Sequence, residues 1–226
     1  MEIDLTGKFA LVGGSTSGIG KAIATRLAES GASICLMARN KSKLKKVVNE
    51  LDKSKNQKHK FLEVDFSNYS IFSKKIKSFF ETNHIDILVN NTQGPAAGGA
   101  LEKSIDDYQS AFDLLFKCAV KTSLLALSSM KDKKWGRIIN VASISVKEPL
   151  NYLVLSNSLR SALVTWSKTL SVDIAKFNIT INNVLTGYFN TERLKQLNSK
   201  KAEKLGIKIS KIEDTIKETI PMKRFG

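Results

Sequence analysis

The chain has 226 residues, of which 42% are hydrophobic and 25% charged, which suits one globular α/β domain. No apolar run is long enough to span a bilayer, and Met1–Leu5 does not resemble a signal peptide, so we expect a cytoplasmic protein without a membrane partner. The formal net charge is +15. Because no aromatic residues are interleaved with the lysines, we interpret this charge as a solvated surface and predict no nucleic-acid partner.

The cysteines and histidines do not form a pattern with metal-ligand spacing. Cys35 and Cys118 lie in a strand-like and a helix-like segment, so we interpret them as small core residues in a reducing compartment. His59 and His84 stand alone and are interpreted as surface residues. The sequence therefore predicts no metal site.

Apolar runs and amphipathic stretches alternate along the chain and predict repeated β–α units. The strand-like runs are Lys8–Gly13, Ser33–Ala38, Lys60–Val64, Ile85–Asn90, Arg137–Ala142 and Ile179–Val184. The helical patterns are Gly20–Ser30, Lys41–Lys53, Ser70–Thr82, Ile105–Lys131 and Ser156–Lys176. This alternation favours a doubly wound parallel sheet with helices on both faces, in a single domain over residues 1–226.

A glycine-rich turn follows the first predicted strand. It reads Gly14, Ser15, Thr16, Ser17, Gly18, Ile19 and Gly20. Glycines let the backbone turn sharply and let a phosphate-bearing ligand approach, and the following helix offers its N-terminal N–H groups to a pyrophosphate. The turn predicts a dinucleotide site, although a tight strand–helix connection without a ligand would also use glycines.

The end of the second predicted strand indicates which dinucleotide binds. Arg39 and Asn40 stand where an NAD site would carry Asp or Glu, and an arginine suits a 2′-phosphate. We therefore predict NADP(H) rather than NAD(H); the alternative is that Arg39 is a surface cation. Asp65 follows the third strand and is a candidate adenine contact or, alternatively, the N-cap of the next helix.

Separated motifs recur in a fixed order along the chain. They are Gly14–Gly20, Asp65, Asp86–Thr92, Trp135–Ser143 and Asn182–Gly187. From Leu5 to Gly226 this series resembles the short-chain dehydrogenase/reductase family, and most of all its branch of β-ketoacyl-carrier-protein reductases. The resemblance implies a single-domain Rossmann fold. It also implies hydride transfer between a nicotinamide and a carbonyl or alcohol, with a 3-oxoacyl thioester as one candidate substrate.

The resemblance also assigns cofactor contacts residue by residue. The implied contacts are Gly14, Ser15, Thr16, Ser17, Gly18, Ile19 and Gly20 at the pyrophosphate, Arg39 and Asn40 at the adenosine phosphate, Asp65 and Phe66 at the adenine, Asn91 and Thr92 beneath the ribose, and Gly187, Phe189 and Thr191 at the nicotinamide. Arg160 is a further candidate contact to the ribose.

The catalytic positions depart from the family pattern of Asn, Ser, Tyr and Lys. Ser143 is present, but Ser156 stands at the tyrosine position and Arg160 at the lysine position. Leu115 stands where the asparagine is expected. A serine hydroxyl is a far weaker acid than a phenol, and a guanidinium stays charged, so neither replaces the usual proton donor directly.

Three sources of the proton remain open from the sequence. Tyr152 precedes the helix that carries Ser156, and Lys147 follows Ser143; either is a candidate acid or an ordinary loop residue. In the third alternative water supplies the proton while Ser143 and Arg160 polarise the carbonyl. A protein that binds NADP(H) as a sensor or scaffold without turnover is the alternative function.

Three expectations concern the remaining parts of the molecule. The apolar faces of the helical patterns Ile105–Lys131 and Ser156–Lys176 predict a homo-dimer or homo-tetramer. The lysine-rich segment from Tyr188 to Ile220 is predicted to be a mobile substrate lid. Pro221–Gly226 resembles the segment that precedes the family's last helix and seventh strand, so both elements are expected to be missing.

Overall fold

A parallel sheet of six strands forms the centre of the fold in the computed structural model, which describes residues 3–226. Its strands are β1 (Phe9–Gly13), β2 (Ser33–Ala38), β3 (Lys60–Glu63), β4 (Ile87–Asn90), β5 (Gly136–Val141) and β6 (Ile179–Val184). They lie in the order β3-β2-β1-β4-β5-β6. The order reverses between β1 and β4, which places a ligand-binding crevice at the carboxyl ends of these strands. The predicted doubly wound sheet is confirmed.

Helices cover both faces of this sheet. They are α1 (Gly18–Glu29), α2 (Lys41–Glu50), α3 (Tyr69–Thr82), α4 (Ile105–Ala111), α5 (Cys118–Asp132) and α6 (Val154–Ile174). Side chains of β1 alternate between two cores: Leu11 belongs to the cluster with α3, α5 and α6, whereas Ala10 and Val12 belong to the cluster with α1 and α2. This alternation is the signature of a strand buried on both faces.

The predicted helix over Ile105–Lys131 is interrupted. A π-helical segment, Phe112–Lys117, separates α4 from α5 and buries Leu114 and Leu115. One extra residue in a helical turn leaves the apolar periodicity nearly unchanged, so the pattern alone did not show the interruption. The predicted helix Ser156–Lys176 begins earlier, at Val154.

Residues 186–226 form a second compact unit. It contains α7 (Glu192–Leu205) and α8 (Ile209–Thr219), which bury Ala202, Ile212 and Ile216 in a small cluster. Apolar residues at helical spacing thus give the segment from Tyr188 to Ile220 a core of its own, and its role as a mobile substrate lid stays a prediction. The prediction of one domain over the whole chain stays a prediction. Among the described residues, no helix has the length and apolar character needed to cross a membrane.

Candidate active site

The glycine turn between β1 and α1 is held closely against the end of β4. The Nδ2 of Asn91 donates a hydrogen bond to the carbonyl oxygen of Gly13 at 3.1 Å. A side chain at Gly20 would collide with the carbonyl oxygen of Gly14, and Gly14 itself has φ of +55°. Glycine is thus required by close backbone approach and by a left-handed conformation. The turn leaves the N-terminus of α1 open to an anion.

Ser15, a predicted pyrophosphate contact, uses its side chain inside the protein. Its side chain is buried, and its Oγ accepts a hydrogen bond from the backbone N–H of Met37 at 2.9 Å. This bond fastens the glycine turn to the end of β2. Ser17 occupies the N-cap position of α1 without a side-chain capping bond, and Thr16 is half-buried. The pyrophosphate contacts assigned to the turn stay a prediction.

The end of β2 carries an exposed cation beside a carboxylate. Hydrogen bonds from Ser67 hold the pKa of Asp65 below its usual range, and the positive charge of Arg39 adds a smaller effect in the same direction. Asn40 caps α2, because its Oδ1 accepts from the N–H of Lys43. The alternative of Asp65 as the N-cap of α3 is wrong, since Asn68 caps that helix.

The floor of the crevice is apolar with a small polar cavity. Phe66 is buried in the core, and the centre of its ring lies 5.3 Å from that of Phe72. Its predicted contact with the adenine would therefore be made through its backbone, and this contact stays a prediction. A cavity of about 20 Å³, enough for one water molecule, is lined among others by Thr92, Cys118 and Arg160. Burial raises the pKa of the Cys118 thiol to about 12, so this side chain is neutral.

Arg160 connects α6 to the end of β5. Its Nη1 donates to the carbonyl oxygen of Val141 at 2.6 Å, and its Nε donates to the Oγ of Ser156 at 3.1 Å. Ser143 follows β5, and its Oγ accepts from the N–H of Ser145 at 3.1 Å. The structure therefore places Ser143, Ser156 and Arg160 at the carboxyl end of β5, as the sequence predicted.

Three further residues stand at a catalytic position of the family or are candidate proton donors. Leu115 is buried in the π-helical segment. Tyr152 lies in the loop before α6, is half-buried, and accepts a hydrogen bond from the N–H of Gly98 through its backbone carbonyl at 2.7 Å. Lys147 is exposed. Tyr152 and Lys147 stay candidate proton donors.

The remaining predicted cofactor contacts belong to the second unit. Thr191 caps α7, because its Oγ1 accepts from the N–H of Leu194 at 3.3 Å. Phe189 is exposed, and Gly187 has open space around its α-carbon. Their contacts to the nicotinamide stay predictions. Within residues 3–226, no group of His, Cys, Asp or Glu is arranged to hold a metal ion.

A row of asparagines across the sheet was not predicted from the sequence. Asn90, Asn140 and Asn183 occupy the same register position on β4, β5 and β6. Asn140 accepts from Asn90 at 2.8 Å and donates to Asn183 at 3.0 Å and to the Oγ of Ser167 on α6 at 2.7 Å. Asn90 also donates to the Oγ of Ser123 on α5 at 2.9 Å. This asparagine row fixes both helices to the sheet below the catalytic positions. The signal for this row in the sequence was an asparagine at matching positions of three strands.

Comparison with known proteins agrees with this geometry. Residues 8–202 match the short chain dehydrogenase family. The NADPH-dependent reductase BacG of Bacillus subtilis is 32% identical over 222 residues, which cover 96% of this chain and 85% of that protein. The 3-oxoacyl-[acyl-carrier-protein] reductase FabG of Aquifex aeolicus is 28% identical over 100% of this chain and 87% of its own.

A solved structure shows the same similarity in three dimensions. The L-sorbose reductase of Gluconobacter frateurii, complexed with NADPH and L-sorbose, superimposes with a TM-score of 0.89 at 29% identity and covers 100% of this chain and 87% of its own. The fold, the order of the motifs and the match over most of the sequence agree. The chain belongs to the short chain dehydrogenase family.

Proposed function

We propose that this protein is an NADP(H)-dependent oxidoreductase that transfers a hydride between the nicotinamide and a carbonyl or alcohol substrate. The observation that carries the proposal is the exposed Arg39, which follows β2 and whose positive charge acts on the ionised Asp65. A guanidinium there suits a 2′-phosphate and no carboxylate occupies the ribose-binding position. The NADPH-dependent BacG and the NADPH complex of L-sorbose reductase support this choice.

The chain's own residues fit the cofactor. Glycine at positions 13, 14 and 20 lets the turn pack tightly against Asn91 and against its own backbone, and the start of α1 offers N–H groups to a pyrophosphate. When bound, the reduced nicotinamide supplies the hydride. Ser143 would orient the substrate oxygen, since the N–H of Ser145 occupies one lone pair of its Oγ and leaves the hydroxyl proton to donate.

The substrate belongs to the carbonyl class, with a 3-oxoacyl thioester as one candidate. The similarity to a 3-oxoacyl-[acyl-carrier-protein] reductase favours the thioester, whereas the similarity to L-sorbose reductase favours a polyhydroxy ketone. A panel of aldehydes, ketones, sugars and 3-oxoacyl thioesters would be tested by the loss of NADPH absorbance. NADPH binding would be followed in the same samples by its fluorescence.

A second candidate function is NADP(H) binding without turnover. The observation that favours it is the pair Ser156 and Arg160, which replaces the acid of the family by a hydroxyl and a permanent cation. Turnover of any carbonyl in the panel supports the reductase. Tight NADPH binding without turnover on the whole panel contradicts the reductase and supports the sensor or scaffold.

A further inference from the structure

Two serine hydroxyls at the end of β5 are arranged as hydrogen-bond donors. The Oγ of Ser143 accepts from the N–H of Ser145, and the Oγ of Ser156 accepts from the Nε of Arg160, each at 3.1 Å. A hydroxyl that accepts from an N–H group retains its own proton for another acceptor. Both serines are half-buried, so that acceptor can be a ligand atom.

Arg160 adds a fixed positive charge to these donors. Its guanidinium is anchored to the carbonyl oxygen of Val141, close in the chain to Ser143, and it bonds Ser156 on its own helix. Hydroxyl donors with an oriented cation form an arrangement that stabilises negative charge on oxygen. None of these three groups gives up a proton readily, because serine is a weak acid and arginine stays charged.

The cavity beside Arg160 does not add an acid of the usual kind. Cys118 lines the cavity beside Arg160, and burial raises the pKa of its thiol to about 12. Leu115, at the asparagine position, is apolar and buried. The site is therefore better equipped to hold an oxyanion than to protonate it during hydride transfer.

We propose that the substrates of this protein are carbonyl compounds whose hydride adduct is a weakly basic oxyanion, such as vicinal diketones or trifluoromethyl ketones. This inference rests on the proposed reductase function. The carbonyl carbon accepts the hydride, the π electron pair moves onto oxygen, and the anion is held by Ser143 and Ser156 under the charge of Arg160. Water then supplies the proton. The carbonyl is reduced and the nicotinamide is oxidised, which balances the reaction.

An unactivated ketone should react poorly for a physical reason. Its adduct is a strongly basic alkoxide, which needs a proton in the transition state. A correctly positioned general acid increases the rate of such a reaction by about 100- to 10,000-fold. An electron-withdrawing substituent lowers the basicity of the alkoxide and so reduces that requirement.

The kinetic test compares trifluoroacetophenone with acetophenone, which have similar shapes but adducts of very different basicity. The wild type should prefer the fluorinated ketone strongly in kcat/KM. In Ser156→Tyr/Arg160→Lys, which restores the acid, the preference should fall by about 100-fold. Loss of turnover in Tyr152→Phe would assign the proton to Tyr152 and overturn the inference.

The second readout does not depend on turnover. Para-nitrophenol is added to the protein with NADP⁺, at a pH where the free compound is mostly the neutral phenol, and its phenolate absorbance is measured. Binding to the wild type should increase the phenolate fraction. Ser143→Ala and Ser156→Ala should lower that fraction, whereas Ser158→Ala, an exposed serine on the same helix, should not.

The outcomes separate the inference from the proposed function. Equal turnover of both ketones, or a bound phenol that stays neutral, overturns the inference and leaves the reductase in place. NADPH binding with no turnover of either ketone, or of any other carbonyl in the panel, overturns both. A strong preference for the fluorinated ketone together with serine-dependent phenolate binding supports both.

Discussion

The asparagine row makes a sharp prediction about stability. In Asn140→Leu the side chain keeps its branched shape but loses its hydrogen bonds to Asn90, Asn183 and Ser167. Each neutral hydrogen bond contributes about 1 kcal/mol net, so the free energy of unfolding should fall by about 3 kcal/mol. For a chain of this size that corresponds to a Tm lower by about 6–12 °C.

The assay is urea unfolding followed by circular dichroism, with a thermal melt as a second measure. Asn182→Leu is the matched control, because Asn182 lies on the neighbouring strand β6 with its side chain exposed. The control should change stability by less than about 0.5 kcal/mol. If Asn140→Leu is as stable as the control, the row does not hold α5 and α6 to the sheet and the argument is wrong.

Other predictions address the cofactor, a carboxylate and the assembly. Arg39→Ala should weaken NADPH binding by about 10- to 100-fold and leave NADH binding unchanged, as measured by fluorescence titration; an equal loss for both would contradict the 2′-phosphate assignment. Asp65 has a depressed pKa in the folded state, so its stabilisation is present above the pKa of the unfolded chain and is lost as pH falls through the folded value. Ser67→Ala should raise that pKa toward the ordinary value of an aspartate, as measured by carboxyl NMR. The predicted homo-oligomer is tested by light scattering: Leu124, exposed on α5, changed to Glu should give a smaller species.

Much of the fold followed from local patterns in the sequence. Apolar β-branched runs identified the strands, and the glycine turn identified the start of α1, because a buried parallel strand and a tight turn each have few alternatives. The motif order also located Ser143, Ser156 and Arg160 at one strand end. These features depend on residues close together in the chain.

Other features depend on contacts between distant residues, which the sequence could not show. The inward turn of Ser15 needs the N–H of Met37 on another strand. The π-helical segment leaves no break in the apolar pattern, and the asparagine row needs the register of β4, β5 and β6. The folded core of residues 186–226 was missed because lysines dominate that segment's composition.

The residues that hold the site together differ from those at the positions proposed for substrate protonation. Backbone contacts of the glycine turn, the bond from Asn91 to Gly13 and the asparagine row do not involve positions 115, 156 or 160. Changes at those positions therefore leave these particular contacts in place. At the same time Ser156 and Arg160 bond to each other, so substitutions at the two positions should not have independent effects. On the proposed function, we expect the departure from the family to alter how a substrate oxygen is stabilised, while the glycine turn keeps its contact with Asn91.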